Sequence, residues 1–171
     1  NFLTFQFGVY LLYRLAKKWM SKPAALASAA LFAWQPLLWG HAFINPKDPP
    51  FLVFFLGGIC FGFEMADSIA ENKKNNITKI ILAAFFLGVA TSIRVLGPLA
   101  GVLVGIYALS RFKKESVITF IKYLMIYILL TVLITFLVWP YLWINPLQKF
   151  IEVFGFMSDN PTQLKVLFNG N

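Results

Sequence analysis

A cation, an acid and an imidazole fall within one short stretch, Gly40-His41-Ala42-Phe43-Ile44-Asn45-Pro46-Lys47-Asp48-Pro49-Pro50, which also holds the chain's single histidine. Grouped side chains of these types can hold an anion: Lys47 supplies a point charge, and His41 and Asn45 join it as substrate-binding candidates. Asp48 is the acid of the group. Arg94 adds a second cation, with a guanidinium fork suited to phosphate. Each residue also has a plainer reading. Asp48 followed by two prolines is an ordinary helix start, with an N-capping acid and proline in the first turn. Lys47 and Arg94 can snorkel to water from helix ends, and His41 can be a satisfied interface histidine. Because a residue before proline is pushed to extended conformations, Asn45-Pro46-Lys47-Asp48-Pro49-Pro50 is expected to be rigid and non-helical.

The elements that must position these residues are apolar. The chain is 59% hydrophobic and 13% charged, with mean hydropathy +0.72, against roughly 45–50% apolar and 25% charged in soluble domains. That composition predicts an all-α, polytopic transmembrane bundle. Apolar runs cover 2–16, 23–38, 51–70, 77–96, 98–110 and 117–139, giving about six spans. The fifth is short and suits a partly embedded hairpin. Pro36 marks a stop or kink. Residues 1–139 read as the bundle and 140–171 as an extracytoplasmic interfacial segment. The segment opens with the aromatic cluster Trp139-Pro140-Tyr141-Leu142-Trp143. Leu147, Phe150, Ile151, Phe154 and Met157 then recur at helical spacing opposite Lys149, Glu152 and Asp159, the pattern of an interfacial amphipathic helix.

The net charge of +8 does not point to nucleic acid, because the basic residues sit in short loops and form no single face. Eleven of the 15 Lys and Arg collect near the loops at 17–22, 71–76 and 111–116. Lys47, Arg94, Lys149 and Lys165 are left for the other side. The excess places those loops, with Lys73, Lys74, Lys113, Lys114 and Glu115, in the cytoplasm. The 40–50 stretch and Arg94 then face outward, and the Asn76-Ile77-Thr78 sequon is silent. An arginine in a span costs roughly 2.5–3.5 kcal/mol at the centre and less near an end, so an outer-end Arg94 suits a phosphate-binding role.

Glu64, Asp67 and Glu71 share one helix face and are expected to meet Arg14 or Lys79, or to emerge into water. A transporter or flippase lining a path with Arg94 and these acids is the alternative function. Cys60 reads as an inert buried thiol, and no metal or cofactor motif is present. Gly101 and Gly105 have the spacing of a close helix approach. The start at Asn1 and the stop after Asn171 suggest part of a longer polytopic protein.

The string from Gly40 to Phe51 resembles the second outer loop of bacterial membrane glycosyltransferases of the GT-C superfamily, relatives of protein O-mannosyltransferases and of the aminoarabinose transferase of lipid A. Ala90-Thr91-Ser92-Ile93-Arg94-Val95-Leu96-Gly97 and Trp139-Pro140-Tyr141-Leu142-Trp143, leading to Phe156-Met157-Ser158, are similar in a supporting way. The resemblance implies a bacterial inner-membrane enzyme that passes a sugar from a polyprenyl-phosphate donor to a lipid, protein or glycan acceptor on the outer face. It implies that Asp48 occupies the acidic position of the second loop, which makes it the catalytic candidate, a carboxylate that would orient the acceptor or the base. It also implies a principal catalytic acid in a first outer loop, for which this sequence has no candidate, so the piece alone is expected to be inactive.

Overall fold

Eight α-helices follow one another in the computed structural model, which describes residues 1–71, 76–111 and 117–159. They are α1 (Phe2–Ala16), α2 (Lys22–Ala33), α3 (Pro36–Ile44), α4 (Asp48–Ala70), α5 (Asn76–Ile93), α6 (Pro98–Ser110), α7 (Val117–Val138) and α8 (Pro146–Asp159). Lys73, Lys74, Lys113, Lys114, Glu115 and Lys165, with the side chains of Asn76, Ser158 and Asp159, lie outside the described residues.

Helix α4 is the axis. It packs on α5, α1 and α6, while α5 carries α7 and α1 carries α2. Burial of 56% of the most apolar stretch of α4, against 6% for α7, puts α4 inside the bundle and α7 at its rim. Lipid is as apolar as leucine, so close packing holds such helices together more than water exclusion does. Gly57 is the decisive close approach: any Cβ there would collide with the Phe86 ring of α5. That ring stacks on Phe61 at 5.0 Å and tilts against Phe54 at 5.5 Å. Val53, Met65, Ile80, Ala83 and Ala84 fill the same seam. The rim is apolar outward, with Ile118, Leu129 and Val132 of α7 largely exposed.

Only α4 and α7, among the described residues, have both the length and the apolarity to cross a membrane; α2, α6 and Ile77–Ile93 of α5 are shorter apolar helices. Of the six apolar runs, the second differs most from expectation. It breaks at Trp34–Gln35, where the Gln35 side chain accepts from Leu37 N–H and Pro36 starts α3. The break does fall at Pro36. Helix α3 then runs through Gly40–Ile44, and α4 begins at Asp48. Asp48-Pro49-Pro50 is therefore helical, contrary to the extended stretch expected, because prolines in a first turn lose no intrahelical hydrogen bond. Asn45-Pro46-Lys47 alone separates the two helices. Gly101 approaches Leu87 of α5, but open space surrounds Gly105.

Beyond α7, Pro140–Leu142 forms a 3-10 turn, tied back by Trp143 Nε1–H donating to Phe136 O at 2.8 Å. Helix α8 is amphipathic as read, with exposed Leu147, Ile151, Phe154 and Met157. On its polar side Lys149 meets Glu152 at 2.7 Å, and Tyr141 O–H donates to Glu152 at 3.1 Å.

Candidate functional site

Asn45 is where the site is built. Its Oδ1 accepts from the backbone N–H groups of Lys47 at 2.9 Å and Asp48 at 3.0 Å. This satisfies two donors that the start of α4 would otherwise leave open. The helix is thus capped from the preceding turn, and Asp48 is its first residue, not its N-cap. The Nδ2 of Asn45 donates to Asp48 Oδ2 at 2.7 Å and lies 3.1 Å from His41 Nδ1, one turn back on α3. The carboxylate of Asp48 adds negative charge at the positive end of the α4 dipole.

Arg94 comes from the far side of the bundle. Its N–H closes the last turn of α5 on Ala90 O, and its carbonyl accepts from Gly97 N–H at 2.9 Å. Gly97 folds so tightly that a Cβ would strike the Ala90–Thr91 backbone. That turn aims the guanidinium at α4, where Nη2 donates to Asp48 Oδ1 and the charge sits 5.7 Å from the Phe51 ring centroid. The Nε of Arg94 is buried and has no partner among the described residues.

His41, Asp48 and Arg94 line one cavity of about 390 Å³, with Phe5, Leu38 and Phe51 among its apolar walls. Four of the five residues singled out by type are therefore connected: His41, Asn45, Asp48 and Arg94. Lys47 is not. It is exposed, outside the cavity lining, and its ammonium has no partner among the described residues. Arg94 has Asp48 as its counter-ion. Chemically, the arrangement is a held carboxylate that aims a guanidinium with unused donors into an apolar-walled space.

A second cavity of about 700 Å³ lies between α5, α6 and α7 and is closed at one end by α8. Thr91, Gly101, Gly105, Tyr127 and Thr131 line it with mostly aliphatic neighbours. Hydropathy alone gives no sign of it, because it depends on α6 and α7 standing apart.

At the other end of α4 a polar cluster fastens three helices. Arg14 grips Glu64 through Nε and Nη2 at 2.6 and 2.7 Å. Asp67 accepts from Lys18, from Tyr107 O–H and from Arg111 Nε, the last two at 2.9 Å. The Arg14–Glu64 meeting is as read from sequence. The convergence of Lys18, Tyr107 and Arg111 on Asp67 was not foreseen, since nothing in the spacing of a basic loop marks which member turns inward. Burial pulls the Lys18 ammonium down, but its hydrogen bonds to Asp67 and Tyr107 outweigh that and hold it above the ordinary value of 10.5. Cys60 is buried beneath this cluster.

The sequence pattern of the family described as dolichyl-phosphate-mannose-protein mannosyltransferase matches residues 2–139, all of α1 to α7. The chain belongs to this family. No curated protein and no solved structure matches it. Family membership makes the chain a membrane protein and a lipid-linked-sugar-dependent glycosyltransferase, with a dolichyl- or polyprenyl-phosphate sugar as the implied donor. The mannosyltransferase-family match spans the α3–α4 turn and Arg94 together.

Proposed function

We propose that this mannosyltransferase-family chain moves a hexose from a polyprenyl-phosphate donor to a lipid, protein or glycan acceptor on the extracytoplasmic face of a bacterial inner membrane. Residues 1–139 form part of its membrane bundle, with about six passes, and 140–171 form an outer interfacial segment. The observation that carries the reading is the pairing of Arg94 with Asp48 on a cavity wall, with most of the guanidinium's donors uncommitted.

In the transfer, the acceptor oxygen bonds to the anomeric carbon while the bond from that carbon to the phosphate oxygen breaks. The electron pair leaves with polyprenyl phosphate, and the acceptor's proton passes to a carboxylate. That carboxylate belongs to a first outer loop by the family resemblance. Negative charge grows on the phosphate as it departs, and preorganised cations at that position lower the barrier. Arg94, aimed by Asp48, supplies the fork. Lys47, unpaired on the rim, turns toward the phosphate as a second charge. Asp48, with both oxygens engaged, serves as an orienting carboxylate in place of a strong base. The aliphatic cavity beside Thr91 lies within one helical turn of Arg94 and suits the prenyl chain.

The test is transfer from a polyprenyl-phosphate sugar by the full-length protein in proteoliposomes. Arg94→Ala and Lys47→Ala are expected to lower transfer about 100-fold, the scale for removing one charge-stabilising donor, with insertion unchanged. Unchanged transfer in both variants would sink the phosphate assignment.

A further inference from the structure

The amide of Asn45 cannot be turned end for end. Its Oδ1 faces two backbone donors, the N–H groups of Lys47 and Asp48, and an NH2 group in that place would meet both head-on. The Nδ2 end is therefore fixed toward Asp48 Oδ2 and His41 Nδ1. An amide nitrogen only donates, so the ring nitrogen facing it is a bare acceptor. A neutral imidazole with Nδ1 bare carries its hydrogen on Nε2. His41 lines the cavity, and its Nε2 has no partner among the described residues. The other charged residues of that lining are Asp48 of α4 and Arg94 after α5; α1 contributes Phe5, and the rest of α3 there is leucine.

We infer that Asn45 is a positioning residue that locks His41 in the Nε2–H tautomer, so that His41 presents a fixed hydrogen-bond donor to an oxygen of the bound sugar-phosphate. The ligand's identity rests on the proposed transferase activity, whereas the tautomer rests on hydrogen-bond geometry alone. This moves Asn45 from ligand contact to support, because both ends of its amide are spent within the α3–α4 turn. It also gives the histidine a role that depends on which nitrogen holds the proton and needs no positive charge.

The chain has one histidine, so protein labelled with ring-15N histidine in lipid nanodiscs reports this tautomer directly, and His41→Gln identifies its signals. Wild type should show Nδ1 as a bare imine nitrogen and Nε2 as N–H. Asn45→Asp keeps the acceptor for both backbone groups and puts a carboxylate oxygen opposite Nδ1, so the hydrogen should move to Nδ1. Asn45→Ala, which removes both ends, should give a mixture of the two tautomers and serves if the Asp variant does not fold. A protonated Nδ1 in neutral wild type, or an unchanged tautomer in the substituted protein, overturns the lock. Transfer assays test the donor itself. His41→Gln places an amide N–H near the Nε2 position and should retain most activity, whereas His41→Asn reaches only the Nδ1 position and should lose about tenfold. Equal rates for the two variants overturn the donor role. A wild type without transfer overturns the transferase reading instead, and the spectra still decide the tautomer.

Discussion

Asp48 takes an N–H from a charged donor on one oxygen and from a neutral amide on the other. The two contacts differ in what they hold. The ion pair is partly open, with the Arg94 and Asp48 side chains 38% and 43% exposed, so solvent screens it and its net contribution to stability is about 1 kcal/mol or less. Orientation is its larger effect. Asp48→Asn should therefore lower the unfolding free energy by no more than about 1 kcal/mol while cutting transfer about 100-fold. Thermal denaturation and a transfer assay on the same preparation check both halves. Residue types at this scale were readable: His41, Asn45, Asp48 and Arg94 stood out as polar interruptions in apolar sequence. Their partners were not, since Arg94 is 46 residues from Asp48 and only the tight turn at Gly97 brings it round.

Among the elements, the α5–α6 turn is the least forgiving. A Cβ on Gly97 meets backbone at Ala90 and Thr91, which cannot move aside as a flexible side chain could. Gly97→Ala is expected to cost about 1–3 kcal/mol through overpacking and to abolish transfer by displacing Arg94; thermal unfolding and activity together test it. The glycine was visible as a break before Pro98, but the close approach behind it was not.

Helix α8 carries a surface device that responds to pH. Its hydrogen bond to Lys149 holds the Glu152 carboxyl below its ordinary 4.5, and the bond to Glu152 holds the Lys149 ammonium above its ordinary 10.5. A depressed acid stabilises the folded state above its unfolded value and loses that contribution as pH falls through the folded one. A raised lysine contributes below its unfolded value and loses it as pH rises through the folded one. Docking of α8 should thus be flat across the neutral range and weaken at both extremes. Tryptophan fluorescence from Trp139 and Trp143 against pH should show a plateau with two falling edges.

For the whole molecule, the helical bundle class was legible because composition reports solvent. The path of the chain was less so. Hydropathy sees residues 23–44 as one run and an interruption, whereas hydrogen bonding at Gln35 and Asn45 cuts them into two short helices with separate caps. Sidedness is open to direct measurement. With Cys60 replaced by serine, cysteines introduced at Lys47 and at Lys17 should react with an impermeant maleimide from opposite sides of the membrane. Labelling of both from one side would overturn the proposed topology. The Arg14–Glu64 clamp is testable by charge exchange: Arg14→Glu should destabilise by about 1–2 kcal/mol, and adding Glu64→Arg should restore most of it.

The clamp at the C-terminal end of α4 also bears on the order in which the bundle is made. Chains emerge from the ribosome amino end first, so Arg14 and Lys18 are already at the membrane when Glu64 and Asp67 arrive. Two acids near the negative end of a helix dipole are poorly placed on their own, and they enter beside cations that are waiting for them. Arg111 follows later and closes on Asp67 from α6. Asp48, at the other end, meets its cation only after α5 has been threaded back. The C-terminal end of α4 can therefore be neutralised during synthesis, while the site at its N-terminal end is completed only when the α5–α6 turn has formed.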